Sequence, residues 1–134
     1  MTTGPLPPLN ADGLPQGMQF DPQWEVTPRQ VRAAMAAPEG KRPLLLDCRR
    51  ADEWQVARIE GAVLFPMDQI KDRLEEIEDA AGGKDAPIIV YCHHGRRSLR
   101  VTAELRQAGF TDVKSMAGGI DVWSMDIDPG APRY

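Results

Sequence analysis

Short apolar runs, each followed by a helical pattern, constrain this fold more than any other feature of the chain. The runs are "PLLLDCR" (43–49), "GAVLFP" (61–66), "APIIVY" (86–91) and "TDVKSM" (111–116). They are too short and too uniformly apolar for one face of an amphipathic helix, and they read as buried strands. Between them lie "ADEWQVAR" (51–58), "MDQIKDRLEEIEDAAGG" (67–83) and "SLRVTAELRQAGF" (98–110). In the second of these, Ile70, Leu74 and Ile77 recur at helical spacing, and Gly82 and Gly83 end the pattern. In the third, Val101, Leu105 and Ala108 form the stripe and Gly109 the stop. An earlier helix is expected in "EVTPRQVRAAMAAPEG" (25–40), where Thr27, Pro28 and Gln30 compose a capping box and Pro38 and Gly40 a terminator. "GGIDVW" (118–123) opens a last turn or helix. Buried strands alternating with helices imply a single α/β domain. Its expected core is a mostly parallel sheet of about five strands with helices on both faces.

Length and composition agree. The chain has 134 residues, enough for one domain. Residues 1–19 carry Pro5, Pro7, Pro8 and Pro15 among glycines and show no period. They are expected to be a flexible tail, mobile or laid over the surface, ahead of a domain at 20–134. No apolar run approaches the roughly 20 residues of a membrane span. The first residues lack the basic and apolar regions of an export signal, so a cytoplasmic location is expected. The net charge of −4 speaks against a nucleic-acid partner. The two cysteines, Cys48 and Cys92, are expected as free thiols. They provide no metal framework. The oligomeric state leaves no trace in the sequence.

The candidate site is "IIVYCHHGRRSLR" (88–100), where a strand stops at Cys92 and a helix follows a short loop. In open α/β sheets ligands sit beyond the carboxyl ends of the strands, at helix N-termini. Gly95 permits a backbone turn that a side chain would oppose. Ser98 can cap the helix. From Ala86 to Ala103 there is no acid, while Arg96, Arg97 and Arg100 all fall in that window. An ordinary thiol, with a pKa of about 8.5, needs a shift of about two units, or roughly 2.7 kcal/mol, to become mostly thiolate at neutral pH. A helix N-terminus supplies about 0.3–1 kcal/mol. Loop amides and arginines must supply the rest, so the expectation is an anion cradle around an activated Cys92. His93 and His94 are adjacent in sequence, and adjacent side chains rarely converge on one ion. No metal is therefore expected, and they are expected to supply loop amides and a polar rim, with proton transfer as the alternative.

These residues resemble the rhodanese-like family of sulfurtransferases. "CHHGRRS" is similar to the family's loop Cys-x-x-Gly-x-Arg followed by a small hydroxyl residue. "LLLDCRRADEWQVARIEGAVLFP" resembles its first signature, and "GGIDVW" with Pro132 its closing segment. The likeness runs from about residue 24 to 132. It implies a rhodanese-type sulfurtransferase of the thiosulfate class. Cys92 would be the catalytic nucleophile, passing through a persulfide. His93, His94, Gly95, Arg96, Arg97 and Ser98 would bind the substrate, and Asp47 with Arg49 would form the site's floor. No cofactor is implied. The partners would be a small anionic sulfur donor and a thiol acceptor, a protein sulfur carrier among the candidates. Ala57-Arg58 departs from the family's frequent Gly-His. Cys48 stands where the family usually has an apolar residue and is expected to be a buried hydrophobe, with a resolving thiol as the alternative. Two other readings stand beside this one. One is a non-catalytic or redox-sensing module on the same scaffold. The other is a cysteine phosphatase, disfavoured because that chemistry uses Cys-x5-Arg and Ser98 occupies the arginine's place.

Overall fold

The computed structural model describes residues 7–134. Five strands form one parallel sheet: β1 (Glu25–Val26), β2 (Leu44–Asp47), β3 (Val63–Leu64), β4 (Ile88–Tyr91) and β5 (Val113–Met116), in the order β1-β5-β4-β2-β3. The helices are α1 (Pro28–Met35), α2 (Ala51–Val56), α3 (Leu74–Ala81), α4 (Arg96–Gln107) and α5 (Gly119–Asp126). The fold class is the expected one.

Strand alternation divides the core into two layers. Leu44, Leu46 and Cys48, with Ile88, Val90 and Cys92, point to the face covered by Ile77 of α3 and by Val101 and Leu105 of α4. Leu45, Ile89 and Tyr91 point the other way, against Val31 of α1 and Ile120 and Trp123 of α5. Each fully buried large aliphatic side chain contributes about 1.5–3 kcal/mol. The period of two therefore fixes the faces of both cysteines as firmly as those of their neighbours.

Two local features differ from expectation, and a third falls to one of two alternatives. β1 has no strand pattern of its own. It exists because the Ser115 and Ala117 amides donate to the Trp24 and Val26 carbonyls at 2.9 and 2.8 Å. The expected helix over 67–83 is in fact two 3-10 turns, Met67–Gln69 and Lys71–Arg73, followed by α3. Bonds from Gln69 to Pro66 and from Arg73 to Ile70 wind the start tighter, yet Ile70 and Ile77 still reach the core. The leading segment, expected over 1–19 to be mobile or laid over the surface, is laid on the domain around Leu14. Leu14 is 2% exposed and packs with Ala117 and Val122. Arg29 donates to the Ala11 carbonyl at 2.8 Å. Residues 1–6 of that tail lie outside the described residues. The Thr27–Gln30 capping box is present in both directions, at 3.2 and 2.8 Å.

Candidate active site

The carboxyl ends of β2 and β4 lie side by side, and each strand is followed at once by a cysteine. After β4 the chain makes a three-residue loop, His93 to Gly95, before α4 begins. What turns this loop is the start of α5. The Ile120 amide donates to the Cys92 carbonyl at 2.9 Å and the Asp121 amide to the His93 carbonyl at 3.1 Å. Gly119 makes that approach possible. Its φ of +63° suits glycine, and a Cβ there would collide with both of those carbonyls. With the carbonyls tied to α5, the Gly95 and Ser98 N–H groups are left to face the sulfur.

Gly95, at φ +108°, takes the N-cap position of α4, and its amide donates to Cys92 Sγ at 3.0 Å. The Ser98 amide donates to the same sulfur at 3.3 Å. Ser98 is thus not the cap that the sequence suggests. It sits in the first turn, and the Cys92 sulfur satisfies the amide that a cap side chain would take. The Ser98 hydroxyl lies 3.3 Å from the sulfur and 3.1 Å from the Gly95 carbonyl, to which it can donate. It has one proton to divide between them. Ser115 of β5, 2.7 Å away, can supply a hydrogen bond to the Ser98 oxygen.

Cys92 is only 1% exposed, and burial by itself favours the neutral thiol. The surroundings reverse that. Of the groups around it, the neighbouring Cys48 thiol lowers the Cys92 pKa most. Burial opposes it, and the Ser98 hydroxyl and the Ser98 and Gly95 amides add to the lowering, which brings it to about 5. The reciprocal effect of the Cys92 thiolate, with burial, pushes the Cys48 thiol strongly up. The arginines expected to activate Cys92 are not its main support. The second thiol, expected from the sequence to be a buried hydrophobe, and the two amides on the sulfur are.

The two loop arginines have different fates. Arg96 is exposed. Arg97 is held in a bidentate pair with Glu53 of α2, at 2.6 and 2.9 Å. Burial works against ionised Glu53. The hydrogen bonds from Arg97, from the Tyr134 hydroxyl at 2.8 Å and from the Arg50 amide at 3.2 Å outweigh it and hold the carboxyl down at about 2. His93 lies flat against the Tyr134 ring, 4.0 Å between centroids, and His94 lies 3.9 Å from His93. Burial, then the neighbouring His94, lowers the His93 pKa, so the ring is neutral. The buried His93 Nε2 has no hydrogen-bond partner among the described residues.

Asp47 and Arg49 are both 0% exposed. Their side chains meet at 2.7 and 2.9 Å. Arg49 also donates to the Ala57 carbonyl at 2.6 Å and to the Tyr134 hydroxyl. The pair fastens the end of β2 to the end of α2 and to Tyr134. Arg58 lies over the Trp54 ring at 4.8 Å. A cleft of about 270 Å³ opens beside the loop, lined by Arg50, Met67, Asp68 and Arg97 and by Cys48 at its base. Glu53, Ser115, Tyr134 and the α5 amides were not singled out from the sequence, because each reaches the site from another element.

The comparisons with known proteins agree with this geometry. A family model described as Rhodanese-like domain matches residues 27–126. The Zea mays protein "Adenylyltransferase and sulfurtransferase MOCS3-1" is 31% identical over 127 residues, covering 90% of this chain and 27% of that protein. A rhodanese-like domain protein from Staphylococcus aureus superposes with a TM-score of 0.67 at 26% identity, covering 83% of this chain and 98% of that one. A thiosulfate sulfurtransferase from Pseudomonas aeruginosa gives 0.65 at 26%, covering 76% and 19%. The chain spans about a quarter of the length of the curated relatives it matches. The family model covers the chain from residue 27 to the end of α5, which includes the loop and the helix start that turns it, and the chain therefore belongs to the rhodanese-like domain family.

Proposed function

We propose that the chain moves a sulfane sulfur from an anionic donor to a thiol acceptor through a persulfide on Cys92. The Cys92 thiolate attacks the outer sulfur of thiosulfate. The donor's S–S bond breaks, and sulfite leaves with the bonding pair. An acceptor thiolate then takes the outer sulfur and returns Cys92 as a thiolate, a two-step covalent cycle. The acceptor is a small thiol or a protein sulfur carrier. Neither half-reaction calls for a metal or an organic cofactor. Free cysteines at 48 and 92 suit a reducing compartment such as the cytoplasm.

One observation carries this reading: two amides, of Gly95 and Ser98, already point at Sγ. The amides of His93, His94, Arg96 and Arg97 have no backbone partner among the described residues and are available for the charge of an outer sulfur. Arg96, exposed at the mouth, attracts the donor, and Arg97 borders the cleft by which sulfite departs. Asp47 and Arg49 act from below, by holding the end of β2 in place. The likeness to a thiosulfate sulfurtransferase at 26% identity favours thiosulfate as the donor. A phosphatase reading has nothing in its favour, since the Arg97 guanidinium is paired with Glu53 rather than free to grip a phosphate.

The test is a single turnover with thiosulfate. Wild type should release sulfite and gain the mass of one sulfur atom at early times, and Cys92→Ser should do neither. Absence of sulfite from wild type with several sulfane donors sinks the reading.

A further inference from the structure

A second thiol stands beside the nucleophile, and sulfur transfer to an outside acceptor forms no bond to its sulfur. Cys48 follows β2 as Cys92 follows β4. The strands are parallel, with Asp47 paired to Tyr91, and the ladder continues one step through the Cys48 amide on the Tyr91 carbonyl at 3.1 Å. Cys48 and Cys92 are thus the next lateral pair. Neighbouring strands lie about 4.8 Å apart. That is inside the span of about 4.4–6.8 Å between Cα atoms that a disulfide bridges. Both side chains point to the α3 and α4 face, with Leu46 and Val90, while Leu45 and Tyr91 point away. Cys48 also borders the cleft, and Cys92 does not. Any species formed on Cys92 therefore has a thiol next to it, on the side from which solvent enters.

We propose that Cys48 resolves the Cys92 persulfide, so that the chain releases its sulfur as hydrosulfide and is left with a Cys48–Cys92 disulfide. The Cys48 sulfur attacks Cys92 Sγ. The bond between Sγ and the outer sulfur breaks, and the outer sulfur leaves as hydrosulfide, carrying the proton that Cys48 gives up. Two electrons pass from the cysteine pair to that sulfur, which goes from sulfane to sulfide. A dithiol reductant then opens the disulfide for the next turn. The step rests on the sulfur-transfer reading and gives it a second outlet. The cradle serves both, since amides that hold an outer sulfur also stabilise it as a departing anion. The charge history serves it as well. While Cys92 is a bare thiolate, it and burial keep Cys48 protonated. Loading moves that charge outward by one atom and relieves Cys48 of it.

The experiment is a single-turnover incubation with thiosulfate and no added thiol, at mildly alkaline pH. Sulfite, hydrosulfide, intact mass and a non-reducing peptide map are read together. Wild type should release one sulfite and then one hydrosulfide per chain, lose the mass of two hydrogens, and yield a peptide that joins Cys48 to Cys92. Cys48→Ser and Cys48→Ala, loaded to completion at that pH, should release sulfite more slowly, because the neighbouring thiol supports the Cys92 thiolate, then keep the added sulfur and release at least about tenfold less hydrosulfide per sulfite. Sulfite release by wild type with a persulfide that stays, and no more hydrosulfide than the variants give, overturns the resolving role and leaves the transfer reading intact. No sulfite from wild type overturns both. The wild-type products decide the matter even if neither variant folds.

Discussion

The chain contains the same unit twice at the carboxyl edge of its sheet: strand, cysteine, short loop, helix. After β2 come Cys48, Arg49, Arg50 and α2, and after β4 come Cys92, the loop and α4. The outcomes are opposite. One thiol is driven toward the proton and the other away from it. The difference lies in who satisfies the start of the helix. In α2 the carboxylate of Glu53 folds back onto the Arg50 amide, so the helix end is occupied by its own side chain. In α4 no such acid exists, Gly95 turns left-handed, and the sulfur itself receives the amides. A cysteine at a strand end is therefore only a candidate. It becomes a nucleophile when the loop after it is bent so that its donors converge.

The bend is the first thing to break. Gly119→Ala should do the most damage, because its Cβ meets the Cys92 and His93 carbonyls at a backbone angle that disfavours side chains. A loss of about 2–4 kcal/mol in unfolding free energy is expected, together with loss of rapid Cys92 alkylation at neutral pH. A stable variant with full alkylation would show that α5 does not set the loop. Next comes Ser98→Ala, which removes the hydroxyl beside the sulfur and keeps the amide. Because the thiolate is the reactive form and its pKa is about 5, the wild-type alkylation rate should be flat above that pH and fall as pH drops through it. The hydroxyl's hydrogen bond to a charged sulfur is worth roughly 1.5–3 kcal/mol, so the midpoint should rise by about one to two units. An unmoved midpoint would assign the ionisation to Cys48 and the amides alone. The smallest effect is expected from Glu53→Gln, which can keep the bond to the Arg50 amide but uncouples the two units electrostatically. Arg97 then carries its charge unopposed. Donor affinity should improve by no more than about fivefold, the scale of about 1 kcal/mol for a partly exposed pair, with little change in the chemical step. Weaker donor binding would mean that Glu53 holds Arg97 where the donor needs it.

Much of this was legible beforehand because it is local. The alternation in 44–48 and 88–92 assigns faces without any knowledge of partners, and Cys92, Gly95 and Ser98 lie within seven consecutive positions. What was hidden is what comes from a distance. β1 is a strand only by virtue of β5. Glu53, Ser115 and Tyr134 meet the site from α2, β5 and the region after α5, and no spacing rule connects them to residue 92. The arginine-rich window suggested that charge activates the thiol. In three dimensions Glu53 claims one arginine and solvent surrounds another, so hydrogen bonds do the larger share. Cys48 looked apolar because its burial is real; its lateral register to Cys92 appears only once β2 and β4 are paired.

The donors that bend the loop belong to Ile120 and Asp121, more than two dozen positions downstream of the cysteine they govern. A chain still emerging from the ribosome, ending short of them, carries residue 92 as an ordinary thiol with no shaped turn around it. The lowered pKa of that thiol thus arrives with completion of the domain rather than during its synthesis. An unfinished copy is chemically quiet, and a finished one is armed by its own last helix.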